Sequence, residues 1–361
     1  MSKAAELANL IGNINAGGGS TNRNVIINGA MNVAQRATSE TDVGGVGKYP
    51  TIDRFKIVPN GTNGRVTMSQ DSSAPSGFAN SLKLDVTTAD TAVSAGDYFT
   101  LSHKMEGQNL QAFAKGTSEA KPFAVSFYVK GNASATYAVE LFDSNSRQAS
   151  KLFNVTTDWT RVELTFDADT TGAFDDDSAS SFELNIWLHG GSSFTSGTLQ
   201  QTFASADNTK RAAGISSIFD STDRTFFITG VQIEVGQNPT TFEHESFDRS
   251  LQRCDRYYQK NEGTNYTVFL TGAIDDVGGS AYLSRRLRVP MRAIPTFSFS
   301  NSYLYSQPSG TVTYTGSLDN RSDKDICTIG FQSIDAQVTQ GSAIRFESSD
   351  DAGEVEYDAE L

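Results

Sequence analysis

The sequence predicts an all-β protein: an antiparallel jelly-roll sandwich and a smaller C-terminal β-sandwich, with a short N-terminal helix and one helix between the domains. Three observations lead there. Apolar residues recur at every second position over many short runs. The spacers between the runs are built from Gly, Ser, Thr, Asn and Asp, the residues of tight turns. And 361 residues with 23 Phe and 12 Tyr carry enough bulky apolar surface for more than one core.

The first element is helical. Ala4, Leu7, Ile11 and Ile14 fall at 3-4-3 spacing on one stripe, with Leu10 beside it. So short a helix is marginal alone in water, so its stripe calls for cover by its own copies or by a partner's groove. Leu7, Leu10, Ile11 and Ile14 are therefore the expected docking residues. Residues 15–24, with Gly17-Gly18-Gly19-Ser20, read as a flexible linker.

The jelly-roll domain is expected over 25–260. Its clearest strands are Phe123-Val125-Phe127-Val129, Tyr137-Val139-Leu141, Val162-Leu164-Phe166 and Phe182-Leu184-Ile186-Leu188. Phe227, Thr229, Val231, Ile233 and Val235 give another, and Leu82-Leu84-Val86 and Phe99-Leu101 add weaker cases. One helix interrupts: Phe247, Leu251, Cys254 and Tyr258 form a single apolar stripe, with Ser246 as its N-cap. Strand patterns resume at Tyr266–Leu270, Leu283–Val289, Thr296–Phe299, Thr311–Tyr314, Ile326–Phe331 and Ala343–Phe346, which makes 261–361 the second sandwich. Glu354–Asp358 reads as a last edge strand whose acids discourage edge-to-edge pairing.

Charge narrows the function classes. Lys plus Arg is 29 and Asp plus Glu is 42, a formal net charge of −13. Nucleic-acid binding and docking to an anionic leaflet both need clustered cations, so neither is expected. No run of apolar residues is long enough to span a bilayer, and Met1–Asn13 lacks a signal-peptide core, so synthesis in a cytoplasm is expected. Cys254 and Cys327 fit no disulfide framework or zinc motif and read as free, buried thiols.

Catalytic chemistry finds little support. Gly44-Gly45-Val46-Gly47 lacks the strand and helix of a phosphate cradle, and no Gly-x-Ser-x-Gly elbow occurs. His103, His189 and His244 are far apart in unlike contexts and are not read as metal ligands; His244 is expected to cap or hydrogen-bond at the helix start. Among 42 acids some always neighbour one another, so a paired-carboxylate hydrolase is not the preferred reading. Asp175-Asp176-Asp177 is expected as a solvated turn, or as a calcium site that clips a loop, and no other cofactor is implied. Sugar binding asks for aromatic faces beside polar side chains. Trp187 points away from the apolar face of its strand, and Tyr303 and Tyr305 alternate within Asn301–Gln307, so these three are the candidate carbohydrate contacts.

Several blocks resemble fibre-type virion proteins of tailed bacteriophages. They are Asn24–Arg36, Met105–Leu110 with Lys115-Gly116-Thr117, Phe123–Lys130, Tyr137–Asp143 with Asn145-Ser146-Arg147, Ile228–Gly236, Phe242–Ser246 and Leu251–Tyr258. Over about 24–260 the chain is similar to tail-fibre and virion proteins of marine and cyanobacterial phages, built on a carbohydrate-binding-module-like jelly roll. Met1–Asn13 also resembles their opening, and the region after 261 matches only loosely, as a host-facing tip does. The resemblance implies a non-enzymatic homotrimeric fibre, made in the host cytoplasm and residing in the virion. Its N-terminus would join a tail or capsid adaptor protein, and its C-terminal region would contact host surface polysaccharide. Nothing reads as a β-helical shaft, so the fibre would be short. The other readings are a capsid decoration or head fibre without a receptor, and a polysaccharide depolymerase.

Overall fold

The computed structural model describes Lys3 and residues 23–275, 280–306, 310–312, 319–320, 322–332, 334 and 338–361. Leu7, Leu10, Ile11 and Ile14, linker residues 15–22, and Thr313 and Tyr314 lie outside the described residues. The chain divides into two compact units, Met1–Ser250 with Leu361, and Leu251–Glu360.

In the first unit the described strands are β1 (Ser39–Val43), β2 (Lys56–Asn60), β3 (Arg65–Asp71), β4 (Ser81–Thr88), β5 (Tyr98–Glu106), β6 (Phe123–Gly131), β7 (Ala135–Asp143), β8 (Arg147–Val155), β9 (Thr160–Phe166), β10 (Ser180–Gly190), β11 (Ala204–Ser205) and β12 (Thr225–Val235). They form two six-stranded sheets, ordered β1-β3-β4-β12-β6-β9 and β11-β8-β7-β10-β5-β2. Consecutive strands repeatedly fall in opposite sheets, as in a jelly roll. The alternation read from the sequence supplies the core: Phe123, Phe127, Leu141, Phe182 and Ile186 are buried in one cluster drawn from both sheets. Burial of each such side chain stabilises by about 1.5–3 kcal/mol.

In β12 the sequence reading needs correction. Phe227 is not on the core face with Val231 and Ile233; Phe226 and Ile228 are, while Phe227 lies between the ammonium groups of Lys83 and Lys130. The register with β6 shifts between Thr229 and Gln232, and Gly230 there adopts φ +63°. A bulge inserts one residue and flips the phase, so strict alternation holds on each side of it but not across it.

Asn24 is likewise not linker but framework. Its side-chain amide donates to the Val231 carbonyl at 3.0 Å, and its Oδ1 accepts from Ile26 N and Ile233 N.

The second unit holds β13 (Tyr258–Gly263), β14 (Val268–Ile274), β15 (Ser280–Arg286), β16 (Thr296–Ser300), β17 (Ser302–Ser306), β18 (Gly310–Val312), β19 (Asp319–Asn320), β20 (Ile326–Gln332), β21 (Ala343–Ser348) and β22 (Gly353–Asp358). The sheets run β13-β22-β16 and β18-β17-β21-β14-β15-β20-β19, and Leu283, Leu304, Ile329, Phe346 and Tyr357 fill their common core. The expected edge strand β22 is central instead, paired with both β13 and β16. Val355 and Tyr357 point inward, while Glu354 and Glu356 meet Lys260 and Tyr258 Oη.

A single helical turn, α1 (Ser192–Thr195), follows β10, and α2 is the helix Phe247–Asp255. Ser246 Oγ accepts from Arg249 N at 3.4 Å, as an N-cap does. The helix ends before Tyr258, which opens β13, and the unit boundary falls inside α2 because β13 pairs with β22 of the second unit. His244 does not serve the helix start; its ring lies among Phe78 and Phe242, with centroids 5.0 and 4.9 Å away. Cys254 and Cys327 are buried and form no disulfide.

Candidate functional site

The strands that bury one face in the core place a second set of side chains on the other face of the β11-β8-β7-β10-β5-β2 sheet. On β5 that set is Tyr98, Thr100, Ser102 and Lys104, and on β10 it is Glu183, Asn185 and Trp187. Register aligns them in transverse rows. Val58, Thr100, Trp187 and Ala138 form one, and Lys56, Ser102, Asn185 and Glu140 the next. Lys104, Glu183 and Phe142 form the third. Together with Tyr98 and with Phe194, Asn208 and Arg211 from the 191–215 segment, these rows, Ala138 and Glu140 excepted, line a cleft of about 460 Å³. That is within the usual size of a small-ligand site.

The aromatic part is continuous. Tyr98 and Phe194 meet edge to face at 5.1 Å, and the Trp187 ring lies 5.7 Å from Tyr98 and 5.2 Å from Phe194. Trp187 points away from the sandwich core, as the alternation predicts, but it is only 2% exposed. The 191–215 segment folds over it and forms a small satellite core with Ala138, Ala212 and Ile215. Trp187 is therefore the floor of the cleft, and the half-buried rings of Tyr98, Phe142 and Phe194 are the apolar surfaces offered to a ligand.

The polar part is preorganised around Glu140, which is fully buried. Its carboxylate accepts from Arg211 Nε at 2.6 Å and Nη2 at 2.8 Å, from Trp187 Nε1 at 3.0 Å and from Asn185 Nδ2 at 3.2 Å. Four donors on one carboxylate compensate its desolvation. Burial alone would lower the Arg211 pKa, but the bond to Glu140 holds it above its ordinary value. The Arg211 guanidinium also lies over the rings of Trp187 and Phe142, at 5.0 and 4.9 Å. Lys104 Nζ pairs with Glu183 at 3.2 Å. A ligand in this cleft meets flat apolar rings and fixed donors and acceptors side by side.

The sequence reading named Trp187 but missed Tyr98, Phe142, Phe194, Glu140 and Arg211. The signal available was the second phase of the strands: Tyr98-Thr100-Ser102-Lys104 and Glu183-Asn185-Trp187 set aromatic rings among the polar residues that a solvated face carries by itself. Arg211 and Phe194 sit outside any periodic run and were not legible.

Tyr303 and Tyr305 lie on β17 of the second unit, whereas Trp187 belongs to the first. Tyr303 Oη donates to Glu347 at 2.7 Å, and burial together with Glu347 pushes that phenol up to about 12. Tyr305 lies under the Arg345 guanidinium at 4.5 Å. Each is engaged by its neighbour across the β17–β21 ladder. Asp175, Asp176 and Asp177 are exposed and do not converge on a common point. Asp175 accepts from Ser181 Oγ, and Asp177 accepts from Ala179 N within a turn. Consecutive residues splay their side chains, so adjacency in sequence is a poor way to aim three carboxylates at one ion.

No family model matches the chain, and no curated protein matches it. Among solved structures it is similar to an enzymatically active domain of bacteriophage CBA120 tailspike protein 4, at 13% identity over 59% of this chain and 21% of that one, with a TM-score of 0.31. It is also similar to a CBM4 structure, at 12% identity over 58% of this chain and 99% of that one, with a TM-score of 0.30. A third is the structure of TmCBM61 in complex with β-1,4-galactotriose, at 11% identity over 59% of this chain and 99% of that one, with a TM-score of 0.29.

Proposed function

We propose that the first unit binds carbohydrate in the cleft over Trp187. One observation carries this reading: half-buried aromatic rings and hydrogen-bonding side chains of fixed geometry line the same cleft of about 460 Å³. Sugars present apolar C–H faces and hydroxyl edges, and this surface complements both. Binding without turnover is the preferred chemistry, because Glu140 is committed to Arg211, Trp187 and Asn185, and Glu183 to Lys104. The test titrates the purified chain with host surface polysaccharide. Tyr98→Ala and Phe194→Ala should each weaken binding roughly tenfold, as loss of about 1.5 kcal/mol of ring contact does. Unchanged binding in both variants overturns the cleft assignment, and release of reducing ends favours the depolymerase.

The sequence blocks that resemble tailed-phage fibres support a wider proposal: the chain is a homotrimeric virion fibre, attached through residues 1–24 and presenting its sandwiches to the host cell. Multivalency lets weak single contacts suffice for attachment. Deleting residues 1–14 should leave folded units that no longer join the particle. Incorporation of the truncated chain would remove the anchor, and failure to bind any host cell would leave a particle scaffold.

A further inference from the structure

Three residues at one end of the first unit remain unexplained by the cleft. Asp90 follows β4, Asp97 precedes β5, and His189 lies near the end of β10. All three are buried, and one ring nitrogen of His189 and one carboxylate oxygen from each aspartate lie within 4.8 Å of one another. Among the described residues no Lys or Arg is ion-paired with either carboxylate. Buried carboxylates are stable when they meet a cation, so two of them without one leave a charge to be balanced.

The imidazole points to the same missing partner. His189 Nδ1 is 2.7 Å from Ser217 Oγ, while Nε2 is buried with no hydrogen-bond partner. With Nδ1 engaged by a hydroxyl, the ring has its Nε2 available as a ligand once Nδ1 carries the proton.

The surroundings are those of supported ligands. Asp90 Oδ2 accepts from Thr62 Oγ1 and Asn63 N, both at 2.8 Å, and Asp97 Oδ2 accepts from Ser94 N at 2.6 Å. The other oxygen, Asp97 Oδ1, lies where a Cβ on residue 61 would come within 2.3 Å, and Gly61 has φ +68°. Only glycine lets the backbone approach that carboxylate so closely.

We propose that Asp90, Asp97 and His189 bind one divalent first-row transition ion of the Zn²⁺ type. The imidazole selects against calcium, which prefers six to eight oxygen ligands, and two carboxylates with one imidazole leave a coordination position for water. The ion would clip the 89–97 loop to β10. Asp97 directly precedes Tyr98, and His189 is two residues beyond Trp187, so the clip secures both strands of the cleft at their ends.

The test strips the full chain with a chelator and adds ZnCl₂ or CoCl₂ alone. The wild-type chain is expected to take up one Zn²⁺ and to show the visible absorption of Co²⁺ in a low-symmetry site. Zn²⁺ should raise its unfolding temperature. His189→Gln and Asp97→Asn should weaken uptake at least as much as the roughly 10–100-fold that loss of an outer partner costs. Ser217→Ala, which removes only the outer hydroxyl and spares the ligands, should still fold and bind about tenfold more weakly. No uptake by the wild-type chain, uptake unchanged in His189→Gln, or tighter binding of Ca²⁺ than of Zn²⁺ would each overturn the site. The readouts involve no sugar, so this proposal and the carbohydrate reading fail independently.

Discussion

Arg211 grips both oxygens of Glu140, at 2.6 and 2.8 Å, and thereby fastens the mostly irregular 191–215 segment to the middle of a sheet. The 191–215 segment is also held by its apolar contacts around Trp187 and by the β11–β8 pairing, and the fork adds a charged tie to these.

Removing the fork leaves a fully buried carboxylate with two neutral donors. Arg211→Ala is expected to destabilise the first unit by about 2–3 kcal/mol, somewhat less than the roughly 3–5 kcal/mol of a fully buried broken pair, because Arg211 is partly exposed. Arg211→Lys should recover little, since an ammonium cannot bridge two oxygens. Both tryptophans, Trp159 and Trp187, belong to the first unit, so fluorescence-detected urea unfolding reads this unit alone. Stability unchanged in Arg211→Ala would show that the segment is held by its apolar contacts.

Asn24 provides a second expectation. Its side chain satisfies Val231 O, Ile26 N and Ile233 N, and Glu243 accepts from its backbone N–H at 2.9 Å. Asn24→Ala should cost about 2–3 kcal/mol, because buried backbone groups lose their partners and water cannot replace them. A shift of less than about 0.5 kcal/mol in unfolding free energy would mean that the neighbouring backbone groups find other partners.

Acid sensitivity should centre on Asp169. Burial raises its pKa, but hydrogen bonds from Arg147 and Lys115 outweigh this and hold it below the ordinary aspartate value. Lys115 is fully buried between Asp143 and Asp169, at 2.5 and 3.1 Å. A depressed native carboxylate contributes stability that is fully present above the unfolded pKa, near 4, and is lost as pH falls through the native value. Unfolding free energy should therefore fall below about pH 4. Asp169→Asn should be weaker at neutral pH and flatter through that acid range; an acid slope as steep as wild type would move the titration to other carboxylates.

Thiol chemistry should report on the second unit. Burial pushes Cys327 up to about 11, and a hydrogen bond with Ser322 offsets this only in part. At pH 8 roughly one thiol in a thousand is then ionised, against about one in four for a free cysteine. Native protein should resist an aromatic disulfide reagent at both Cys254 and Cys327 and react promptly in denaturant. Rapid labelling of either native thiol would indicate local opening of the element that carries it.

Strand existence was legible because period two is a local property. Phe123–Val129 and Phe182–Leu188 announce which face is buried without reference to any partner. Phase across β12 was not legible, because a bulge at Gly230 is visible only when the register with β6 is known. The central position of β22 was hidden for the same reason: edge or centre depends on which strands pair, and a row of acids is compatible with both. The blocks that resemble phage fibres turn out to meet in space. Lys115, Asp143 and Arg147 share one buried ion network with Asp169, and Asn24, Gln232, Glu234 and Glu243 lie in another group of polar contacts. Such blocks supply framework positions of the sandwich, and of the ring surfaces of the cleft only Phe142 falls within one of them.

The amino-acid sequence by itself determined that this protein is built from antiparallel β-sandwiches, since alternation and turn chemistry act over a few residues. Its composition also made it acidic and rich in aromatic side chains. Only the tertiary structure decided where those rings and charges meet. Tyr98, Glu140, Trp187 and Arg211 come from three strands and one irregular segment, and Asp90, Asp97 and His189 converge across nearly a hundred residues of chain. Convergence of that kind depends on register and loop path, which are set by the packing of the whole unit and leave no periodic trace in the chain.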